Sequence, residues 1–310
     1  MQARNPGGTM TDQDMTGRVP PTTRLGVVRL RVTEVTRSLP VWRGILGLSV
    51  LAQQTDCATL GVGDRPLIVL QGGAGPAPGH KVRGLFHVAL HVPERADLAR
   101  ALARLRTAGH PHSGQDHLLS EALYLSDPDG NGIEIALDTP ERGRIDVVDG
   151  NPVAVTNEGL RHSMLEPLDL NRLLAELPDG DDIRRPVPET SHIGHIHFRT
   201  NARDAVFSFY ANVIGMLPRL NSVSFKFCDT GTALRRHMIA FNTWGGENLP
   251  EAGPGAPGVA DFGIVLPDQA ALDAVKDRLV TAGVHATTTQ RGLTCADPEG
   301  NVITLSVQSR

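Results

Sequence analysis

The chain repeats itself, and this restricts its fold more than any other feature. Gly84–Pro93 reads GLFHVALHVP and Gly258–Pro267 reads GVADFGIVLP. A helix-like stretch ending in Ala-Gly follows each, over Ala96–Thr107 and Gln269–Thr281. Each then reaches a near-identical turn and strand: SDPDGNGIEI over Ser126–Ile135 and ADPEGNVITL over Ala296–Leu305. A second pair precedes these. Gly26–Leu48 holds a strand and an amphipathic helix closing on Leu-Gly-Leu, and Gly194–Leu217 does the same, closing on Ile-Gly-Met-Leu. Self-similarity on this scale marks a supersecondary unit that buries its apolar face only against its copies.

The order is therefore four modules, about 24–72, 84–138, 192–245 and 257–308, each a strand, a helix and several strands. Asp-Pro-x-Gly-Asn before the last strand of modules 2 and 4 is a tight turn, with Pro presetting φ and Gly or Asn supplying left-handed positions. Residues 1–23 are rich in Gly, Pro, Thr, Asp and Arg and are read as a disordered tail. An N-terminal domain (24–138, modules 1 and 2), a linker (139–190) and a C-terminal domain (191–310, modules 3 and 4) follow. In the linker, Asp169–Leu177 is read as a short helix between prolines.

Composition narrows the function classes. A formal charge of −4 and the lack of a Lys/Arg block argue against nucleic acid. No apolar run approaches the length of a membrane span. The three cysteines, Cys57, Cys228 and Cys295, are scattered and match no metal spacing, which suits a reduced, cytoplasmic setting.

On the phrases FHVALHVP, SEALYLSDPDGNGIEI and HMIAFNTW, and on the repeat over about 24–308, the chain resembles the vicinal oxygen chelate superfamily. That group includes glyoxalase I, bleomycin resistance proteins and type I extradiol dioxygenases, and the phrases are most similar to the two-domain catechol 2,3-dioxygenases. The resemblance implies an α+β fold in which four βαβββ modules form two half-open mixed β-sheet cups.

Strand alternation gives each cup an apolar and a polar face. Phe86, Val88, Leu90 and Val92 oppose His87, Ala89 and His91; Ile133, Ile135 and Leu137 oppose Glu134; Ile196 and Phe198 oppose His195, His197 and Arg199. In the superfamily, ligands sit early in a module's first strand and in its last strand. Those positions hold Val27, His87, Glu134, His195, Asp261 and Thr304 here. Pairing modules 2 with 3 yields one intact set, His87, Glu134 and His195, whereas pairing 1 with 2 and 3 with 4 yields two broken ones. The expectation is the out-of-sequence pairing, with a metal-free cup around Val27, Asp261 and Thr304.

Two imidazoles and one carboxylate suit non-haem Fe(II), with Mn(II) as the substitute, and leave positions for a diolate and O₂. The resemblance further implies His237, in RHMIAFNT, as a proton acceptor and donor beside O₂. It implies Tyr124, ten residues before Glu134, as a hydrogen-bond partner of the ligated substrate oxygen, and His117 as a contact on the substrate's other side. His91 and His197 are expected to line the cavity. His192 is expected at the surface, His110, His112 and His162 in solvent, and Trp244 over the pocket or in the core. A lone strand histidine is more often structural than a ligand, so the weight rests on the set. The implied reaction is O₂-dependent opening of a small aromatic diol to a semialdehyde, by a cytoplasmic enzyme compatible with homo-oligomerisation. An isomerase, lyase or thiol transferase using another metal, and a metal-free binding protein, remain open.

Overall fold

The computed structural model describes residues 17–78, 81–149 and 151–308. Module 1 contains β1 (Arg24–Arg31), α1 (Val35–Leu39), β2 (Ser49–Gln54), β3 (Cys57–Val62) and β4 (Arg65–Gln71). Module 2 contains β5 (Gly84–His91), α2 (Arg95–Thr107), β6 (Ser113–Asp116), β7 (Ser120–Ser126) and β8 (Gly132–Asp138). Residues between modules 2 and 3 supply β9 (Gly143–Val148), β10 (Asn151–Thr156), β11 (Arg161–His162), β12 (Glu166–Pro167) and α3 (Leu170–Leu174). Module 3 contains β13 (His192–Arg199), α4 (Arg203–Ser208), β14 (Leu217–Ser222), β15 (Phe227–Gly231) and β16 (Ile239–Asn242). Module 4 contains β17 (Gly258–Leu266), α5 (Gln269–Thr281), β18 (Ala286–Thr289), β19 (Gly292–Ala296) and β20 (Val302–Val307).

Strand order decides how the modules pair. One sheet runs β12-β6-β7-β8-β5-β13-β16-β15-β14, and the other β18-β19-β20-β17-β1-β4-β3-β2. Module 2 thus joins module 3 through antiparallel β5 and β13, and module 1 joins module 4 through antiparallel β1 and β17. Within each module the first strand is parallel to the last. The stretches 24–138 and 191–310 each place one module in each sheet. A single apolar core holds residues of both sheets and the helices, among them Leu30, Ile68, Leu98, Phe198, Phe241 and Phe262.

A second set of contacts follows chain order. In modules 1 and 3 the helix widens into a π turn, over Pro40–Ile45 and Phe209–Ile214. Pro40 has no N–H to donate to the preceding α turn. The wide turns aim Trp42 at Asp127 (Nε1 to Oδ2, 3.4 Å) and Tyr210 at Asp297 (OH to Oδ2, 3.1 Å). Those carboxylates open the two repeated turns. Asp127 accepts from the Asp129 and Asn131 amides and the Asn131 side chain at 2.9 Å, and Asp297 is caged likewise. Gly130 and Gly300 take the left-handed positions, both at φ +83°. The asparagines act as anchors for the aspartates. Sheets therefore couple modules 2–3 and 1–4, while turns and helices couple 1–2 and 3–4.

Two expectations on the chain termini and linker need revision. Met1–Thr16 lies outside the described residues, but the rest of the expected tail is packed: Val19 is buried and its amide donates to the Gly215 carbonyl at 2.8 Å. β9, β10 and β11 form a three-stranded antiparallel sheet, and β12 extends the module 2–3 sheet beside β6. The short helix is present, with Asp169 Oδ1 accepting from the Asn171 and Arg172 amides at 3.0 Å.

The module 1–4 cup has a polar centre of its own. Asp261, 5% exposed, receives Arg29 at 2.9 Å, Arg291 at 2.8 Å and the Thr304 hydroxyl at 3.3 Å. Arg29 lies directly opposite Asp261 in the β1–β17 register. Asp261→Ala leaves Arg29 without its carboxylate, and breaking such a pair costs about 3 kcal/mol. Urea unfolding of that variant is expected to show a loss of this order, with metal content unchanged.

Candidate metal centre

The polar face of the module 2–3 cup converges on one point. His87 comes from β5, Glu134 from β8 and His195 from β13. His87 Nε2 lies 3.1 Å from His195 Nε2 and 2.9 Å from Glu134 Oε2, and His195 Nε2 lies 3.1 Å from the same oxygen. All three side chains are buried, and among the described residues this is the one group of three or more His, Cys, Asp or Glu side chains found with ligand atoms this close. Donor atoms about 2.1 Å from one ion and at right angles stand about 3 Å apart. The spacing fits three adjacent corners of an octahedron, the facial arrangement of two histidines and a carboxylate.

A β-bulge aims His195. The β5–β13 register skips between Ile193 and His195, leaving Gly194 as the extra residue. Ile193 packs in the core, and the added residue turns the pleat so that His195 and His197 face the cup. A second shift between His197 and Phe198 frees Phe86 from the pleat. Phe86 was expected on the core face. Instead it lies in the cavity wall, edge-on to His197 and Trp244 at 5.0 and 5.8 Å between ring centres.

The electrostatics suit a cation. Burial pushes the His195 imidazole down to about 3, so it stands neutral with a free lone pair. Burial opposes ionisation of Glu134, but the flanking His195 and His87 hold its carboxyl well below the usual range.

The other expected residues surround this point. His237 packs 4.4 Å from His195 between ring centres, and its Nδ1 donates to Asp229 Oδ2 at 2.8 Å. About a third of its side chain (36%) stays open, which leaves Nε2 for the cavity. Burial disfavours its charged form, but the Asp229 bond and charge outweigh this and raise its pKa. Tyr124 lies directly across β7–β8 from Glu134. Burial, then the Glu134 charge, lifts the phenol well above its ordinary range, so it remains a donor. Its hydroxyl lies 2.8 Å from His117 Nε2, and His117 Nδ1 donates to the Met164 carbonyl. Both His117 nitrogens therefore have protein partners, on the same side of the centre as Tyr124.

Of the remaining histidines, His91 and His197 line the cavity as expected, and the others depart from expectation. His197 is buried, accepts from the Asn242 amide at 2.9 Å and is kept neutral by burial. His192 is half-buried and faces His91 at 5.7 Å between ring centres. His110, His112 and His162 are half-buried, not solvated, because backbone carbonyls hold the first two at 2.9 and 2.7 Å and the third meets Asp116 and Glu166. Trp244 is exposed at the cavity, stacked on Phe227 at 16° and bonded to the Phe225 carbonyl at 2.8 Å. Asp229, Asp138 and Asn242 carried no sequence signal. The cavity itself has a volume of about 1880 Å³, and the linker supplies part of its wall through Ile145, Val147, Pro152, Met164 and Leu165.

Known proteins bear out this architecture. Residues 24–135 match the model of the Glyoxalase/Bleomycin resistance protein/Dioxygenase superfamily. The chain is 34% identical over 281 residues to the catechol-2,3-dioxygenase of Bacillus subtilis (strain 168), covering 89% of this chain and 94% of that protein. The chain belongs to this superfamily. Within it, the chain is an enzyme of the catechol dioxygenase-like kind. Two solved structures share its fold. One, provisionally named a dioxygenase, is from Bacillus subtilis subsp. subtilis str. 168, with a TM-score of 0.64, 13% identity and coverage of 93% of this chain and 86% of that one. The other is glyoxalase I from Zea mays, with a TM-score of 0.55, 15% identity and 92% coverage of both chains. Among the described residues no helix is long and apolar enough to cross a membrane.

Proposed function

We propose that this enzyme opens the ring of a substituted catechol with O₂, using Fe(II) held by His87, Glu134 and His195. The observation that carries the reading is the grouping of those three donors with His237 and Tyr124 around one cavity. Fe(II), when bound, supplies a redox-active centre for a chelating diolate and O₂, which Zn²⁺ held by the same donors does not.

The chain's own residues then divide the remaining work. His237 Nε2 takes a proton from a substrate hydroxyl and later returns it, and Asp229 steadies the imidazolium formed between. When substrate binds, Tyr124 turns its one O–H from His117 Nε2 to the substrate oxygen nearest Glu134. His117 acts through Tyr124, with Nε2 accepting that O–H from the linker side before substrate binds. Phe86, Phe227 and Trp244 offer flat apolar surface to an aromatic ring. The cavity, about 1880 Å³, extends from the centre to the linker wall, which leaves room there for a substituent on the ring.

Protein purified without oxygen, loaded with Fe(II) and given catechol in air should form the yellow ring-opened product, followed by absorbance. Loading with Zn²⁺ should give none. Full turnover without metal, or equal turnover with Zn²⁺, overturns the reading. Tyr124→Phe removes one hydrogen bond to a charged oxygen, worth about 1.5–3 kcal/mol. Turnover of that variant should fall roughly 10- to 100-fold with iron content unchanged.

A further inference from the structure

We propose that Asp138, His91 and Gly194 act together as a positioning relay that sets the tautomer and orientation of His195, and through it the affinity of the centre for its metal. The inference rests on the metal-centre reading above.

The hydrogen bonds form a directed chain. Asp138 Oδ2 lies 3.1 Å from His91 Nδ1, and His91 Nε2 lies 3.1 Å from His195 Nδ1. A carboxylate only accepts, so His91 Nδ1 carries the proton donated to Asp138. His91 Nε2 is then an acceptor, and His195 Nδ1 must be the donor. That fixes the His195 tautomer with its lone pair on Nε2, the atom that faces Glu134 and His87. A ligating histidine usually spends its second nitrogen on a carboxylate or backbone carbonyl. Here a second histidine stands between, and reaches a carboxylate that is 62% exposed.

Backbone geometry supplies an independent observation. In register His91 lies opposite His192, two pairs removed from His195, whose partner is Ala89. Its ring reaches His195 by lying across the bulge at Gly194. A Cβ at Gly194 would meet three His91 ring atoms at 2.1–2.3 Å. Gly194 does not have a positive φ, so any residue could adopt its backbone. The glycine is needed for space: it is the seat of the His91 ring.

The test is an anaerobic chelator competition for Fe(II) and for Co(II), read as metal affinity and as the Co(II) ligand-field spectrum. Variants are His91→Phe, His91→Gln, Asp138→Ala and Gly194→Ala, with folding checked by circular dichroism. Loss of a partner behind a ligating histidine costs about 10–100-fold in metal affinity. His91→Phe should show that loss and an altered spectrum. His91→Gln, whose amide oxygen can accept from His195, should recover most of both. Asp138→Ala should fall between. Gly194→Ala should match His91→Phe although it removes no hydrogen-bonding group; if it fails to fold, the His91 pair decides alone. Wild-type affinity and spectrum in folded His91→Phe overturn the relay. If the wild type binds neither metal, or His87→Ala binds as tightly as wild type, the reading of the centre itself fails.

Discussion

His87→Ala, Glu134→Ala and His195→Ala are each expected to weaken iron binding by about 100-fold or more and to abolish detectable ring opening, because each removes one of the three side chains proposed to hold the ion. The three donors come from β5, β8 and β13, and His87 and His195 stand 108 positions apart in the chain. Equal loss in all three variants is what one shared ion requires. Elemental analysis after anaerobic Fe(II) loading measures it, with circular dichroism to show that the cup remains folded. Full iron content in any two variants contradicts the assignment.

His237→Phe should keep its iron and lose roughly 10²–10⁴ in turnover, the usual contribution of a general acid–base group. The imidazole is tied to Asp229 through Nδ1 and lies beside His195 without joining the ligand cluster. His237→Gln restores polarity but cannot cycle a proton, so it should be nearly as slow. Iron loss in His237→Phe makes His237 a ligand and puts His195 in question. Unchanged turnover removes the proton-transfer role.

Much of this was legible in the sequence because the repeat carries it. The paired phrases at Gly84 and Gly258, and at Ser126 and Ala296, mark equivalent modules, and alternation puts His87, Glu134 and His195 on the polar faces of their strands, while their choice as one ligand set came from the family resemblance. The intact ligand set then selects the out-of-sequence pairing seen in the strand order. What stayed hidden was set by irregular backbone or by distant partners. A strict period of two puts Phe86 in the core, whereas a bulge moves it to the cavity wall. The two arginines that neutralise Asp261 lie 232 and 30 positions away, and no pattern links them. His91 lies on the same face as His87, so alternation could find it, but its connection through Asp138 depends on side-chain geometry at the end of β8. The linker sheet of β9, β10 and β11 has no counterpart in the modules, so the repeat gave no handle on it.

The central claim is that this cup uses O₂ to open a catechol ring, and isotopic labelling tests it most directly. Enzyme loaded with Fe(II) is given catechol under heavy-isotope O₂, and the ring-opened product is weighed by mass spectrometry. Incorporation of both labelled oxygen atoms, absent in His87→Ala, is the predicted result. A product without label, or one whose new oxygen comes from water, contradicts the account.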